Sequence, residues 1–214
     1  MMEIRTFIAI NMTTEIKESP SKIQTELKKQ ACLIAETDVK WVEPQGMHLT
    51  LKFLGNILIG QLESICQMVL EATSNFNQFQ LSLSSLGAFP NLSGTRQASP
   101  KVVWVGVDKG KEECIQLAKR IDNDLRGLPR YRLGFPVESK EFFPHLTLGR
   151  VKNPRGGLPR SRNELSKLIA EARLTELKTK SFGQMFVSKV EVMGSQLTPK
   201  GSIYTTLREL ELMK

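Results

Sequence analysis

The sequence predicts an α+β fold with pseudo-twofold symmetry: antiparallel β-sheets, each covered by helices on one face. Three observations predict it. Segments of alternating polar and apolar residues, suited to strands with one buried face, are interleaved with segments whose apolar residues recur at helical spacing. The only two histidines each open the same tetrapeptide, His48-Leu49-Thr50-Leu51 and His145-Leu146-Thr147-Leu148. The copies lie 97 residues apart, close to half of the 214-residue chain, as a diverged duplication would place them. With ordinary residue usage Leu-Thr-Leu follows a histidine roughly once in a thousand times. Two out of two marks a repeat, and residues 1–214 are expected to form a single bilobal domain.

Residues 4–10 alternate as a strand. Thr13 and Thr14 are candidate caps for a helix reaching about residue 34, with Ile16, Ile23, Leu27 and Ile34 on its inner face. Pro20 suggests that this helix starts at the proline, which suits a first turn. The first motif follows as a strand ending at Gly55. Leu62, Ile65, Val69 and Ala72 predict a helix over 60–73, and strands are expected near 79–86 and 101–107. Between these strands, Pro90 to Pro100 is rich in Asn, Ser, Gly and Thr and predicts a loop. A helix over 111–126 carries Ile115, Ala118, Ile121 and Leu125, capped by Gly127. Pro129, Gly134 and Pro136 mark a loop before the second motif. Ser161 and Glu164 form a capping-box signature ahead of Leu165, Leu168, Ile169 and Ala172. Strands over 182–194 and 202–211 close the chain.

A hydrophobic content of 40% and a charged content of 24% suit a soluble globular protein. No run approaches the ~18 apolar residues of a membrane span. Arg5 and Asn11 bracket a short apolar run that lacks the layout of a secretory leader, so a cytoplasmic location is expected. Cys32, Cys66 and Cys114 are widely spaced and form no Cys-x-x-Cys pair, which predicts reduced fillers. Two histidines and three scattered cysteines supply no metal-ligand spacing, and Gly106 to Lys111 lacks the phosphate-loop pattern. Neither metal nor cofactor is expected. The net charge of +8 suits a polyanionic partner, although charge alone leaves a solvated surface the stronger reading. Arg126, Arg130, Arg132, Arg150, Lys152, Arg155, Arg160 and Arg162 crowd the region of the second motif.

A period of two puts His48 and Thr50 on one side of their strand and Leu49 and Leu51 on the other. The same holds for His145 and Thr147 against Leu146 and Leu148. Two imidazoles meeting in a groove suit acid–base work, because their unperturbed pKa of ~6.5 permits one neutral and one charged ring. Threonine hydroxyls two residues on can donate to oxygens that gain negative charge. By strict alternation Lys52 joins the His48 face, whereas Arg150 falls opposite His145 unless the strand bulges at Gly149. Trp41, Trp104, Phe53 and Tyr204 are candidates for stacking on a base, against the plainer role of filling a core.

Together these residues resemble the 2H phosphoesterases, and more closely their RNA 2′,3′-cyclic phosphodiesterase branch, also called 2′-5′ RNA ligases. Besides the paired motifs, the resemblance rests on Arg5 to Ile10, Trp41-Val42-Glu43-Pro44, Lys52-Phe53-Leu54-Gly55, Val103 to Val107, Phe143-Pro144, and Leu197 to Gly201 followed by Tyr204. Gln45-Gly46 replaces a more polar pair, and Gly149 stands where Ala is usual. The resemblance implies two pseudo-symmetric lobes of antiparallel β-sheet with helices on the outer faces and a central catalytic cleft. It also implies metal-independent hydrolysis of RNA 2′,3′-cyclic phosphate ends, or cyclic nucleotides, to 2′-phosphomonoesters. It makes His48 the proton donor to the departing ribose oxygen and His145 the proton acceptor that activates water. Thr50, Thr147, Arg150 and Lys52 would bind substrate, in a monomer that has no membrane partner. ATP-independent 2′-5′ ligation would use the same acid and base. A non-catalytic RNA-end binding module would need only the donors.

Overall fold

The two motif strands lie side by side in the middle of one antiparallel sheet in the computed structural model, which describes residues 2–33, 38–90, 100–126, 135, 141–152, 167–169, 181–198 and 201–214. The strands are β1 (Glu3–Asn11), β2 (Asp38–Trp41), β3 (His48–Leu58), β4 (Phe79–Phe89), β5 (Val102–Val107), β6 (His145–Lys152), β7 (Ser181–Val187), β8 (Lys189–Thr198) and β9 (Gly201–Glu211). Their order is β7-β4-β5-β6-β3-β1-β8-β9, with β2 paired to β6 off this path. The lobes meet where Leu49 of β3 pairs with Leu146 of β6. Each half of the chain lends a strand to the other lobe: β4 pairs with β5, and β8 with β1.

The strand expected over 182–194 is two strands, β7 and β8, with Ser188 between them. These strands sit near opposite ends of the sheet order, so one connecting residue requires the sheet to curl back on itself. Bonds from Leu212 N–H to Ser188 O (2.7 Å) and from Gln78 N–H to Met213 O (2.9 Å) tie that corner. The alternation was continuous because the chain turns the corner without leaving the extended conformation. β2 was not anticipated from the sequence; it is four residues long and takes its place beside β6.

The helices α1 (Thr14–Ala31), α2 (Leu62–Ser74) and α3 (Lys111–Arg126) cover one face of the sheet. Ile16, Leu27, Ile65, Val69, Leu117 and Ile121 join Leu49, Leu51, Leu146 and Leu148 in one core. α1 leaves β1 of the first lobe yet packs on β6 and β7 of the second, while α3 leaves β5 and packs on β3. The helices therefore cross beneath the seam between lobes. α1 starts at Thr14, with Thr13 at the cap position, and runs through Pro20 instead of starting there. Burial decides this: Ile16, Pro20, Gln24 and Leu27 form one continuous inner face. Burying a large aliphatic side chain contributes about 2 kcal/mol, and Ile16 and Leu27 on this face together offset the roughly 3 kcal/mol of an interior proline. Lys167 to Ile169 are helical, and Ile169 is buried. The capping signature at Ser161 and Glu164, Gly127, Arg130, Arg132, Arg155, Arg160, Arg162 and the interior of the Pro90–Pro100 loop lie outside the described residues.

Both motif strands carry a bulge three residues after the histidine. In β3 the register jumps from Ala9–Thr50 to Ile8–Lys52, leaving Leu51 extra. In β6 it jumps from Trp104–Thr147 to Val103–Gly149, leaving Leu148 extra. An extra residue reverses the alternation beyond it. Lys52 therefore points to the helix side, contrary to its expected place on the histidine face. It is only 3% exposed, and its ammonium lies 2.7 Å from Asp122 Oδ1 of α3. Arg126, one turn on, shares the same carboxylate. Asp122→Ala removes the carboxylate facing a buried ammonium and should cost roughly 3 kcal/mol in urea unfolding. Lys52→Met, which keeps the packed stem and leaves Asp122 with Arg126, should cost clearly less. Equal losses would mean that the pair is not the anchor of α3 on β3.

Candidate active site

The face of the sheet turned away from the helices carries both histidines. Antiparallel pairing at Leu49 and Leu146 sets His48 across from Thr147 and Thr50 across from His145. The two motifs thus interlock diagonally on adjacent strands. Each imidazole is oriented in the same way by its own chain. His48 Nδ1 lies 2.8 Å from Gly46 O, and His145 Nδ1 lies 2.7 Å from Phe143 O. A carbonyl only accepts, so Nδ1 carries the hydrogen in both rings. That leaves Nε2 to take up or release a proton.

Aromatic rings surround both histidines. Phe7 stacks on His48 at 4.7 Å between centroids, and Tyr204 meets it edge-on at 4.9 Å. Phe89 meets His145 edge-on at 5.0 Å, with Trp104 and Phe143 behind it, each at 6.4 Å. Burial against these rings penalises the charged form. It pushes His48 down to about 4 against a weaker upward pull from the Gly46 carbonyl, and the nearby charges of Lys17 and Arg150 push the same way. Burial also lowers His145, again opposed by its carbonyl partner and assisted by Arg150. Both rings are therefore neutral near pH 7 in the empty site.

The bulge at Leu148 turns Arg150 onto the histidine face, so the condition attached to it in the sequence is met one residue before Gly149. Its counterpart five residues after His48 is Phe53, which lies 6.0 Å from Phe7 and is 41% exposed. Thr50 and Thr147 keep the parity expected of them. Gly149 is explained by β2: a Cβ there would lie 2.8 Å from Val39 and 2.9 Å from Trp41. Trp41 is thus a core residue, whereas Trp104, Phe53 and Tyr204 lie on the histidine face. Gly46 likewise leaves room for Tyr204, whose ring would be 3.0 Å from an added Cβ. Phe7, Phe89 and Phe143 went unremarked in the sequence as site residues. Phe7 was legible by parity with Asn11, which pairs with His48, and Phe143 by its place two residues before His145. Lys17 was missed as well. It lies half-buried beside the first motif, donating to Asn11 Oδ1 at 3.3 Å and to Gln45 O at 3.5 Å.

Two imidazoles oriented through Nδ1, two threonines and one arginine thus share one face of the sheet. The chain belongs to the LigT like phosphoesterase family, whose model matches residues 10–98 and 105–204. It is 35% identical over 211 residues to the RNA 2′,3′-cyclic phosphodiesterase of Methanothermobacter thermautotrophicus, covering 99% of this chain and 100% of that one. The protein of the same name from Archaeoglobus fulgidus is also 35% identical, covering 97% of this chain and 100% of that one. Among solved structures, TT0787 of Thermus thermophilus superposes with a TM-score of 0.70 at 26% identity, covering 98% of both chains. E. coli LigT complexed with 3′-AMP shares the fold, with a TM-score of 0.69 at 20% identity over the full length of both chains. No helix among the described residues is long and apolar enough to cross a membrane.

The lowered His48 pKa carries a stability prediction. Between about 4 and ~6.5 the unfolded chain binds a proton at position 48 that the folded chain does not. Stability is therefore lost as pH falls through that window. His48→Gln should flatten the curve of unfolding free energy against pH over this range relative to wild type. Parallel curves would mean that His48 titrates normally in the fold.

Proposed function

We propose that this protein hydrolyses RNA 2′,3′-cyclic phosphate ends to 2′-phosphomonoesters without a metal. The observation that carries the reading is the matched pair of imidazoles, each fixed through Nδ1 and open at Nε2, on one face of adjacent strands. The names of the full-length relatives support the substrate class. His145 Nε2 accepts a proton from water as the oxygen attacks phosphorus in line with the departing 3′-oxygen. The P–O3′ bond breaks, and His48 Nε2–H delivers a proton to that oxygen. The ring opens, the 2′-ester remains, and the histidines end with their protonation states exchanged until solvent resets them. Thr50 and Thr147 donate to the non-bridging oxygens, and Arg150 faces their negative charge. Lys52, held on the helix side by Asp122, has no part in this scheme. Every group in it comes from one chain, which supports a monomer, and the unpaired cysteines suit a reducing cytoplasm.

Ala at either histidine should lower turnover of a 2′,3′-cyclic nucleotide by roughly 10²–10⁴-fold, while EDTA leaves wild-type turnover intact. A p-nitrophenyl ester, whose leaving group needs little protonation, should partly rescue His48→Ala and not His145→Ala. Rescue at position 145 alone would reverse the roles, and losses of only a few-fold at both would reduce the site to a binding groove.

The pH profiles should separate free enzyme from complex. One histidine must be charged and one neutral, and both are lowered in the free site, so kcat/KM should peak below pH ~6.5. Bound phosphate favours the imidazolium, so the alkaline limb of kcat should lie higher than that of kcat/KM. Coincident limbs would exclude proton uptake on binding.

A further inference from the structure

Gln24 is a buried polar group that the chemistry leaves unused. It lies on the inner face of α1, is 7% exposed, and sits in the middle of an apolar core. Its amide nitrogen donates to Val42 O at 2.6 Å and to Leu148 O at 2.9 Å. Val42 N–H donates to the same Leu148 carbonyl at 2.9 Å. These two carbonyls are not arbitrary points on the backbone. Leu148 is the extra residue of the β6 bulge, the irregularity that turns Arg150 onto the histidine face. Val42 leads into the 3₁₀ turn Pro44–Gly46, whose Gly46 carbonyl holds His48 Nδ1. One NH₂ group therefore joins the flanks of the two motifs from behind.

We propose that Gln24 is a positioning residue: its amide fixes the Leu148 bulge and the segment that follows β2 at Val42 relative to each other, and so sets Arg150 and His48 on the phosphate. It acts through the backbone and touches no reacting atom. A primary amide fits this task in a way that no apolar residue does. It offers two hydrogens to two carbonyl oxygens, of which that of Leu148 is buried and that of Val42 partly buried. The other motif has a parallel device in Lys52, the residue just past the extra Leu51, gripped by Asp122 of the opposite crossing helix. Each bulge is thus held by a polar side chain between β-strand and crossover helix.

The inference about phosphate rests on the activity proposed above, and the test keeps the two apart. Gln24→Leu preserves approximate volume and removes both donors. Because the chain has two histidines, their ring protons give an uncrowded NMR titration. Arg150→Ala removes a charge that disfavours both imidazolium ions, so both midpoints should rise. Gln24→Leu should shift both in the same direction. With a 2′,3′-cyclic nucleotide, its KM should rise about tenfold, the loss of one charge-assisted contact. Combined with Arg150→Ala it should raise KM no further than Arg150→Ala alone, since its effect on phosphate binding runs through Arg150. Wild-type midpoints and KM in a folded Gln24→Leu protein, whatever its melting temperature, would overturn the proposal. So would losses that multiply in the double variant.

If Gln24→Leu does not fold, Gln24→Glu decides. Protonated, it still donates to one carbonyl; ionised, it repels both. Its turnover relative to wild type should fall as pH rises, and a pH-independent ratio would refute the role. The histidine titration needs no turnover, so a wild-type protein inert toward cyclic phosphates would sink the proposed activity and leave the positioning role to the midpoints.

Discussion

The pairing of Leu49 with Leu146 is the constraint on which the rest of the site depends. Both leucines are fully buried against the helices, so a slip of one residue in either strand would turn a motif inside out. Antiparallel pairing at that point leaves one arrangement for the other face: histidine beside threonine, twice, on a local twofold. The crossing of α1 and α3 beneath the seam strengthens the same constraint, because each helix binds the two lobes together. The site is rigid for reasons that lie on the side of the sheet away from the substrate.

Alternation was legible from the sequence up to the third residue after each histidine, and no further. Period-two patterning predicts His48, Thr50, His145 and Thr147 on a common face because those positions precede the bulges. Beyond them it misassigns Lys52 and, without a bulge, Arg150. A bulge leaves no compositional mark here: Leu51 and Leu148 are ordinary core leucines, and only the partner strand reveals them as extra. Gly149 came close to a signal, since its missing side chain makes room for Trp41 and Val39 of β2. Ser188 has the same character, as a corner hidden within unbroken alternation. Pro20 misled in the opposite sense, because a local propensity was outweighed by burial on both sides of it.

The aromatic surround has a cost and a use. Phe7, Tyr204, Phe89 and their neighbours strip water from two rings that chemistry requires to be charged in turn. A polar groove would leave both pKa values near ~6.5 and hold the imidazoles less firmly. Here the Nδ1–H bonds fix the rings in one plane, the aromatic faces pack them, and Nε2 remains the one open atom. In the proposed reaction the hydroxyl dipoles and the guanidinium charge then act on phosphate with little competing water.

A duplicated motif must still produce one acid and one base, and the flanking residues supply the difference. At the fifth position after the histidine the first copy has Phe53 and the second Arg150. Lys17 adds its charge to His48 alone. The result is a proposed proton donor whose ring is held toward its neutral form by burial, with a pKa of about 4. Substrate must reverse this if His48 is the donor. A phosphate charge ~4 Å away, at an effective dielectric of ~20, supplies about 4 kcal/mol, or roughly three pKa units. That is comparable with the depression that burial imposes on His48. In the proposed scheme the charge on His48 then tracks substrate binding, so the proton is present when the departing 3′-oxygen needs it.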